Sequence, residues 1–309
     1  MTGLTAALSI DAGQTGMKVR IDRVGSDPVE RVLPGVRTSE PLLPQLASAA
    51  RAVAEETGDA FDVVSTGVSG LTSREADAGA LLNLLAEFGT RRVLLAHDSV
   101  TSFLGTLGDH CGAVVAAGTG VVTLGVGRTA TARIDGWGNI MGDAGSGYWI
   151  GREGLDAAMR AYDGRGAPTL LLDMLRVHWP DPETSYIELQ GDPARVSVVA
   201  SFAEHVARLA SEDAIAARIC RTAARELSHS ARTALARVAD GDGPAPLVSA
   251  IGGVFSSALI RERFDELISE AVPDVQIVQA QGTGLDGVAA LPTLVEDHPL
   301  RTLISVATR

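Results

Sequence analysis

CGAVVAAGTGVVTLGVG, Cys111 to Gly127, is a run of seventeen residues without a charge, just short of what a membrane-spanning helix needs. Five of the seventeen are glycines, and the pairs Val114-Val115 and Val121-Val122 flank Gly118-Thr119-Gly120. β-Branched residues on both sides of a glycine turn predict two buried strands joined tightly, not a helix. A Gly-Thr-Gly turn has no bulky side chain to keep an anion off its backbone N–H groups, and its threonine adds a hydroxyl donor. Just upstream, Arg92 to Ala96 predicts a short buried strand that delivers His97-Asp98-Ser99. An apolar strand ending in a carboxylate, followed by a glycine turn, suits a base placed beside a phosphate cradle.

Working outward, the first half shows the same design. Leu4 to Ile10 predicts a buried strand ending at Asp11-Ala12-Gly13-Gln14-Thr15-Gly16, and Met17 to Arg23 alternates as a second strand. Glu30 to Leu33, Phe61 to Gly67 and Arg92 to Ala96 follow as strands, with helices over Gln45 to Glu56, Ala76 to Phe88 and Ser99 to Leu107. In the second half, Ala130 to Ile134 is a third strand before a glycine-rich loop. Helices are expected over Gly147 to Ala161, Thr169 to Val177, Val196 to Ser211 and Ala214 to Val238. Pro168 to Pro193 is the least regular piece, an inserted loop or lid, and Asp240 to Pro246 is a Gly/Pro-rich break. Strand, helix, strand, helix then occupy Leu247 to Ile251, Ser256 to Ala271, Val275 to Val278 and Gly287 to Leu291. The chain is thus one long repeat: two halves, each a glycine-turn hairpin followed by alternating helices and strands, which implies mixed sheets covered by helices on both faces.

Composition narrows the function. The 309 residues suggest one large or two ordinary domains, and 38 acidic against 26 basic residues, a net charge of −12, argue against a nucleic-acid partner. Lys18 is the single lysine, which nearly removes mechanisms built on a catalytic lysine, and no G-x-x-x-x-G-K-[ST] loop occurs. Cys111 and Cys220 have neither metal nor disulfide spacing. Without a basic region leading into an apolar core at the N-terminus, no signal peptide is read and a cytoplasmic protein without a membrane partner is expected.

DAGQTG (Asp11 to Gly16), AGTG (Ala117 to Gly120) and AIGGVF (Ala250 to Phe255) resemble the first phosphate, second phosphate and adenosine motifs of the actin-like ATPase superfamily. GWGNIMGDAGSGYWIGREG (Gly136 to Gly154) is similar to the signature of the BadF/BadG/BcrA/BcrD ATPase family, in particular its N-acetylglucosamine kinase branch. The motifs occur in order from Leu8 to about Leu291. The resemblance implies an α/β chain of two actin-like (ribonuclease H-like) domains, mixed sheets flanked by helices, with a cleft between them. The domains would be 1–116 and 117–309, the latter with a helical insertion and a tail after 292 that packs back on the first. It implies transfer of the ATP γ-phosphoryl group, with Mg²⁺, to the 6-hydroxyl of an amino sugar.

On that resemblance Asp11 would hold magnesium, largely through water. Gly13, Gln14 and Thr15 would donate to the phosphates from one side, and Gly118, Thr119 and Gly120 from the other. Gly252, Gly253, Val254 and Phe255 would line the adenosine pocket, Asp98 would be the general base and contact the sugar, and Gly136, Trp137, Gly138 and Asp143 would shape the sugar site. Plainer roles stand beside these. Asp11 would cap a strand turn, Asp98 the helix from Ser99, and Asp143 or Ser146 the next helix, while Trp137 would be core and Lys18 solvated. Met17 stands where the family often has threonine, and the loop Gly35 to Glu40 lacks the asparagine that family sugar kinases often carry, which leaves glucosamine or another hexose open beside N-acetylglucosamine. The paired cysteines of the dehydratase-activator branch are absent. An ATPase that activates a partner protein and a non-catalytic sugar or nucleotide sensor are the competing functions, and the oligomeric state, including a homodimer, is left open.

Overall fold

The computed structural model describes residues 5–37, 39–239 and 245–309. They form two compact units: one takes the chain up to Cys111, Val126–Thr131 and Gln279–Arg309, the other Gly112–Gly125 and Ala132–Val278. Where the sequence breaks the chain at 116 and returns the tail after 292, these units break at Cys111 and return at Gln279.

The first unit is built on strands β1 (Thr5–Ala12), β2 (Met17–Arg23), β3 (Val29–Leu33), β4 (Ala60–Val68) and β5 (Arg92–His97). Leu8 and Ile10 of β1 and Val19 and Ile21 of β2 are fully buried, the period-2 pattern that commits one face of a strand to the core. β1 pairs antiparallel with β2 and parallel with β4, and β4 runs parallel to β5. Helices α1 (Leu42–Thr57), α2 (Ala78–Leu84) and α3 (Asp98–Leu107) connect them. The second unit begins with β6 (Gly112–Ala117), β7 (Val121–Val126) and β8 (Thr131–Asp135), followed by α4 (Gly138–Met141) and α5 (Gly147–Tyr162). Then come α6 (Leu171–His178), α7 (Pro182–Gly191), α8 (Arg195–Leu209), α9 (Ala214–Val238), β9 (Leu247–Ile251), α10 (Ala258–Ala271) and β10 (Gln276–Ile277). The chain ends in the first unit with α11 (Gly284–Ala290) and β11 (Ile304–Thr308).

The sheet orders are β11-β5-β4-β1-β2-β3 and β10-β9-β6-β7-β8. Without β11 they are the same order, so the repeat legible in the sequence is a repeat of topology. β11 is the addition that sequence did not show: it pairs antiparallel with β5, from Ile304 opposite Ala96 to Thr308 opposite Arg92.

Two expectations need correction. The helix over Ala76 to Phe88 is shorter, because the Asp77 side chain accepts the Ala80 N–H at 2.9 Å and starts α2 there, and the chain tightens into a 3-10 turn at Ala86–Phe88. Pro168 to Pro193 is not an irregular loop: besides α6, which matches the helix expected over Thr169 to Val177, it holds a further helix, α7. Asp181 caps α7 with Pro182 in its first turn, and the Asp213 carboxylate accepts from both Thr169 Oγ1 and Leu170 N at 2.6 Å, tying the start of α6 to the start of α9. Most of the break at Asp240 to Pro246, and Thr38 of the loop after β3, lie outside the described residues.

α5 and α8 approach through glycine. A Cβ at Gly151 would lie 1.8 Å from the Val199 carbonyl oxygen, and one at Gly154 would lie 2.5 Å from Val206 Cγ2. Gly151→Ala gains up to about 1 kcal/mol of helix propensity. It must also push backbone off backbone, which costs about 1–3 kcal/mol in a packed interior. The clash should win, lowering the melting temperature by roughly 2–4 °C per net kcal/mol lost. An unchanged melting curve would show that α8 is not seated on α5 in this way.

Candidate active site

In the first unit the two carboxylates singled out by sequence sit at the same end of parallel strands. Asp11 is next to last in β1, opposite Gly67 of β4, and Gly67 in turn is opposite Ala96 of β5, two residues before Asp98. Open α/β sheets bind ligands at the carboxyl ends of their parallel strands, so the topology alone marks this edge. Burial first, and then the charge of Asp98, push the Asp11 carboxyl above the ordinary carboxylate range, while Lys18, directly opposite on β2, pulls it back. A side chain at Gly284, the first residue of α11, would come within 2.9 Å of Asp11 Oδ2. Sequence reasoning did not bring α11 here; no local pattern around Gly284 points to Asp11.

Asp98 is not the cap of its helix. The cap is His97, whose Nδ1 accepts the Ser99 N–H at 3.1 Å, and Asp98 is the first residue of α3. Asp98 Oδ1 lies 2.8 Å from the same Nδ1, yet it is buried and has no hydrogen-bond partner. That nitrogen is already engaged by Ser99, whose Oγ lies 2.9 Å from it. A carboxylate oxygen held in place without a donor is well suited to accept a proton.

The DAGQTG turn spends part of its hydrogen-bonding capacity on itself. Gly13 N donates to Gly16 O at 3.1 Å and Gly13 O accepts Val36 N at 3.0 Å, so the Gly13 N–H is withdrawn from the donor set. Gln14 and Thr15 are exposed at the tip. The second turn behaves alike. Gly118 N donates to Gly120 O at 2.9 Å, while the carbonyls of Gly118 and Thr119 accept from Gly147 and Tyr148 at the start of α5. Thr119, exposed with its hydroxyl, is left as the turn's outward donor.

Beside that turn the second unit has a cavity of about 960 Å³, with Gly118, Thr119 and Gly147 at one end, α8 along one wall, and Gly253, Val254 and the start of α10 along the other. A Cβ at Gly118 or Gly253 would meet nothing within 4 Å, so both glycines face open space. The other members of the adenosine motif do different work. Gly252, at φ +98°, would place a Cβ 2.3 Å from the Ala117 oxygen, so it lets its turn press on the end of β6. Phe255 is buried against Phe264, ring centroids 5.1 Å apart, with the Arg261 guanidinium over its other side, and does not line the cavity. That corrects its expected place: the 3-10 turn Gly253–Ser256 rotates the ring into the core.

The long loop is organised by a residue that the sequence did not single out. Asp135, at φ +59°, accepts the N–H groups of Trp137, Asp143 and Ala144 at 3.4, 2.9 and 3.2 Å. Its only signal was an aspartate ahead of a glycine, both suited to positive φ. Trp137 is 60 % exposed, with Arg133 5.0 Å from its ring centre, so it is not core. Gly136 and Gly138 both turn at positive φ on either side of it. Ser146, not Asp143, caps α5 by accepting Trp149 N at 3.2 Å. Asp143 is buried against the second phosphate turn: Oδ1 accepts Val121 N at 3.4 Å, and a Cβ on Gly120 would strike Oδ2 at 2.8 Å.

Whether these residues suit a nucleotide and a hard cation is a question of donor chemistry. A glycine-floored cavity with a threonine at its end fits a triphosphate, and a buried Asp11 carboxylate that the Asp98 charge makes costlier to ionise fits a dication that keeps its waters. Among the described residues no group of three or more His, Cys, Asp or Glu side chains is arranged to hold a metal.

A family model described as the BadF/BadG/BcrA/BcrD ATPase family matches residues 8–291. The chain belongs to that family. It is similar to an N-acetylmuramic acid/N-acetylglucosamine kinase of Clostridium acetobutylicum, 27 % identical over 222 residues, which is 69 % of this chain and 72 % of that protein. A shorter stretch of 72 residues, 23 % of each chain, is 42 % identical to an N-acetyl-D-glucosamine kinase of Dictyostelium discoideum. Among solved structures, a candidate N-acetylglucosamine kinase of Chromobacterium violaceum superposes with a TM-score of 0.74 at 22 % identity, over 93 % of this chain and 99 % of that one. A hexokinase of Schistosoma mansoni shares the fold with a TM-score of 0.56 at 13 % identity, over 94 % and 86 %. The fold is therefore that of the actin-like sugar kinases. Among the described residues no helix is long and apolar enough to cross a membrane.

Asp143 provides a test that does not depend on turnover. Burial first, with Asp135 adding to it and the Val121 N–H opposing, holds its carboxyl above the ordinary range. A raised carboxylate favours the fold in its protonated form, a contribution present at acid pH and lost as pH rises through the folded-state value. Asp143→Asn keeps an oxygen for Val121 and removes the charge, so its melting temperature relative to wild type should climb between about pH 4 and about pH 8. A difference that stays flat across that range would mean the carboxyl ionises as readily in the fold as out of it.

Proposed function

We propose that the protein is an ATP-dependent kinase that moves the γ-phosphoryl group to the 6-hydroxyl of an amino sugar, N-acetylglucosamine or glucosamine. The observation that carries this reading is the Asp98 carboxylate, anchored at the end of β5 with an unpartnered oxygen, in a family member whose relatives are named as kinases of such sugars. The second unit would hold the nucleotide, with Thr119 and Gly120 at its phosphates and Gly253 and Val254 beside its adenosine. The first would supply Gln14 and Thr15 as donors, Asp11 as the carboxylate toward magnesium, and Asp98 as the base. Gly136, Trp137, Gly138 and Asp143 would shape the sugar's surroundings. Because ATP is the donor, the cytoplasm is the expected compartment.

Phosphoryl transfer asks for alignment and charge neutralisation more than covalent help. With Lys18 the single lysine, most of that neutralisation falls to backbone N–H groups and hydroxyls. Magnesium, when bound, supplies the remaining positive charge. Asp98 takes the proton of the sugar hydroxyl as its oxygen bonds to the γ-phosphorus and the bond to the β-phosphate oxygen breaks, leaving ADP and the sugar phosphate.

A general base contributes roughly 10²–10⁴-fold. Asp98→Asn should therefore lower kcat by about that factor while ADP binding, measured calorimetrically, stays near wild type. A coupled ADP-release screen with Mg-ATP across N-acetylglucosamine, glucosamine, N-acetylmannosamine and glucose tests the acceptor. Turnover is expected to depend on an amino sugar. ATP hydrolysis indifferent to every sugar would replace the kinase with a partner-activating ATPase, and turnover confined to hexoses without a 2-amino group would remove the amino sugar.

A further inference from the structure

The cavity in the second unit extends well beyond its phosphate turn. Ala200 of α8 lies at the turn, since a Cβ at Gly147 would sit 2.9 Å from the Gly118 carbonyl and 3.6 Å from that of Ala200. Arg208 lines the same cavity eight residues further along α8, which at the rise of an α-helix is ~12 Å away. That separation is comparable to the span between the terminal phosphates and the base of an extended nucleoside triphosphate. No aromatic ring lines the cavity among the described residues, and of its two charged lining residues, Glu204 and Arg208, Arg208 is the cation.

Arg208 is not a loose surface side chain. Its Nη2 donates to Met174 Sδ at 3.1 Å and to His205 Nδ1 at 3.4 Å. With Nδ1 accepting, the proton of His205 is on Nε2, which lies 2.8 Å from His178 Nε2 and donates to it. The chain Arg208 to His205 to His178 therefore has one consistent direction of donation. Burial, reinforced by His178 and Arg208, holds His205 below the ordinary imidazole range, which keeps Nδ1 available as an acceptor at neutral pH. Neighbouring Glu204, which also lines the cavity, opposes this by favouring the charged ring.

We propose that Arg208 is the base-binding, specificity-determining residue of the nucleotide site, and that His205, backed by His178, is its positioning residue. A guanidinium plane stacks on purines and carries donors for ring nitrogens and carbonyl oxygens. Tying one of its nitrogens to Met174 and His205 removes rotamer freedom before the ligand arrives, which raises affinity without adding a contact. This rests on taking the cavity as the nucleotide site, and nothing in it depends on which sugar is phosphorylated.

The experiment compares ADP with inorganic tripolyphosphate, which carries the phosphates and no base, by calorimetry on the full-length protein with Mg²⁺. Arg208→Ala should weaken ADP binding roughly tenfold or more, the scale of a lost charged hydrogen bond, and leave tripolyphosphate unchanged. His205→Ala should show the same selective loss, and His205→Asn, whose side-chain oxygen can take the Nδ1 position as acceptor, should recover part of it. In turnover, Arg208→Ala should raise the KM for ATP, with kcat unchanged, and narrow the difference between ATP and GTP. Equal losses for ADP and tripolyphosphate, or ADP binding untouched by Arg208→Ala, would overturn the assignment. A wild-type protein that binds tripolyphosphate and not ADP would overturn the nucleotide reading of the cavity itself.

Discussion

Backbone pressed directly against backbone through glycine is the constraint on which this structure depends. A Cβ would fall 1.8 Å from a carbonyl oxygen at Gly105, Gly151 and Gly287, 2.1 Å at Gly112 and 2.3 Å at Gly252. Each contact sets one element that the site needs. Gly112 seats β6 on β9, Gly151 seats α5 on α8, Gly252 presses its turn on β6, and Gly105 with Gly287 bring α3 and α11 together. Interiors at crystal-like density do not yield to an extra methyl group at such points. The phosphate turn, the cavity wall and the surroundings of Asp11 therefore all hold their places by the absence of side chains.

The second organising element is charge with a single lysine. Asp11, Asp98 and Asp143 are the carboxylates singled out for the site, and Asp11 and Asp143 sit where burial resists ionisation. Lys18 offsets that cost at Asp11, and at Asp143 the offset is dipolar, from the Val121 N–H. In a low-dielectric pocket such fixed dipoles act without the reorganisation that water would need. The histidines belong to the same scheme. His97 Nδ1 accepts the Ser99 N–H at the strand end that presents Asp98, and His205 Nδ1 accepts from an arginine.

Hairpin turns and strand ends were legible because their signals are local. Valines flanking Gly118-Thr119-Gly120, the alternation of Met17 to Arg23, and an apolar run stopping at His97-Asp98 each fit one conformation best. The repeat was legible for the same reason, since each half repeats one order of local signals. Where the sequence went astray, distant partners intervened. Phe255 reads as part of a ligand motif, but its ring is claimed by Phe264 and Arg261.

The amino-acid sequence by itself determined the α/β class, the doubled hairpin design and the family, and it singled out two carboxylates and two glycine turns as candidates for the site. Those are properties of residue type and short spacing, and short spacing constrains φ, ψ and hydrogen bonding directly. Only the tertiary structure decided which donors of each turn are already spent, that His97 caps α3 in place of Asp98, that β11 closes on β5, and that α8 brings Arg208 to the far end of the cavity. Each of these joins residues far apart in the chain or opposite faces of one element, and chain order alone does not encode which of many compatible surfaces will meet.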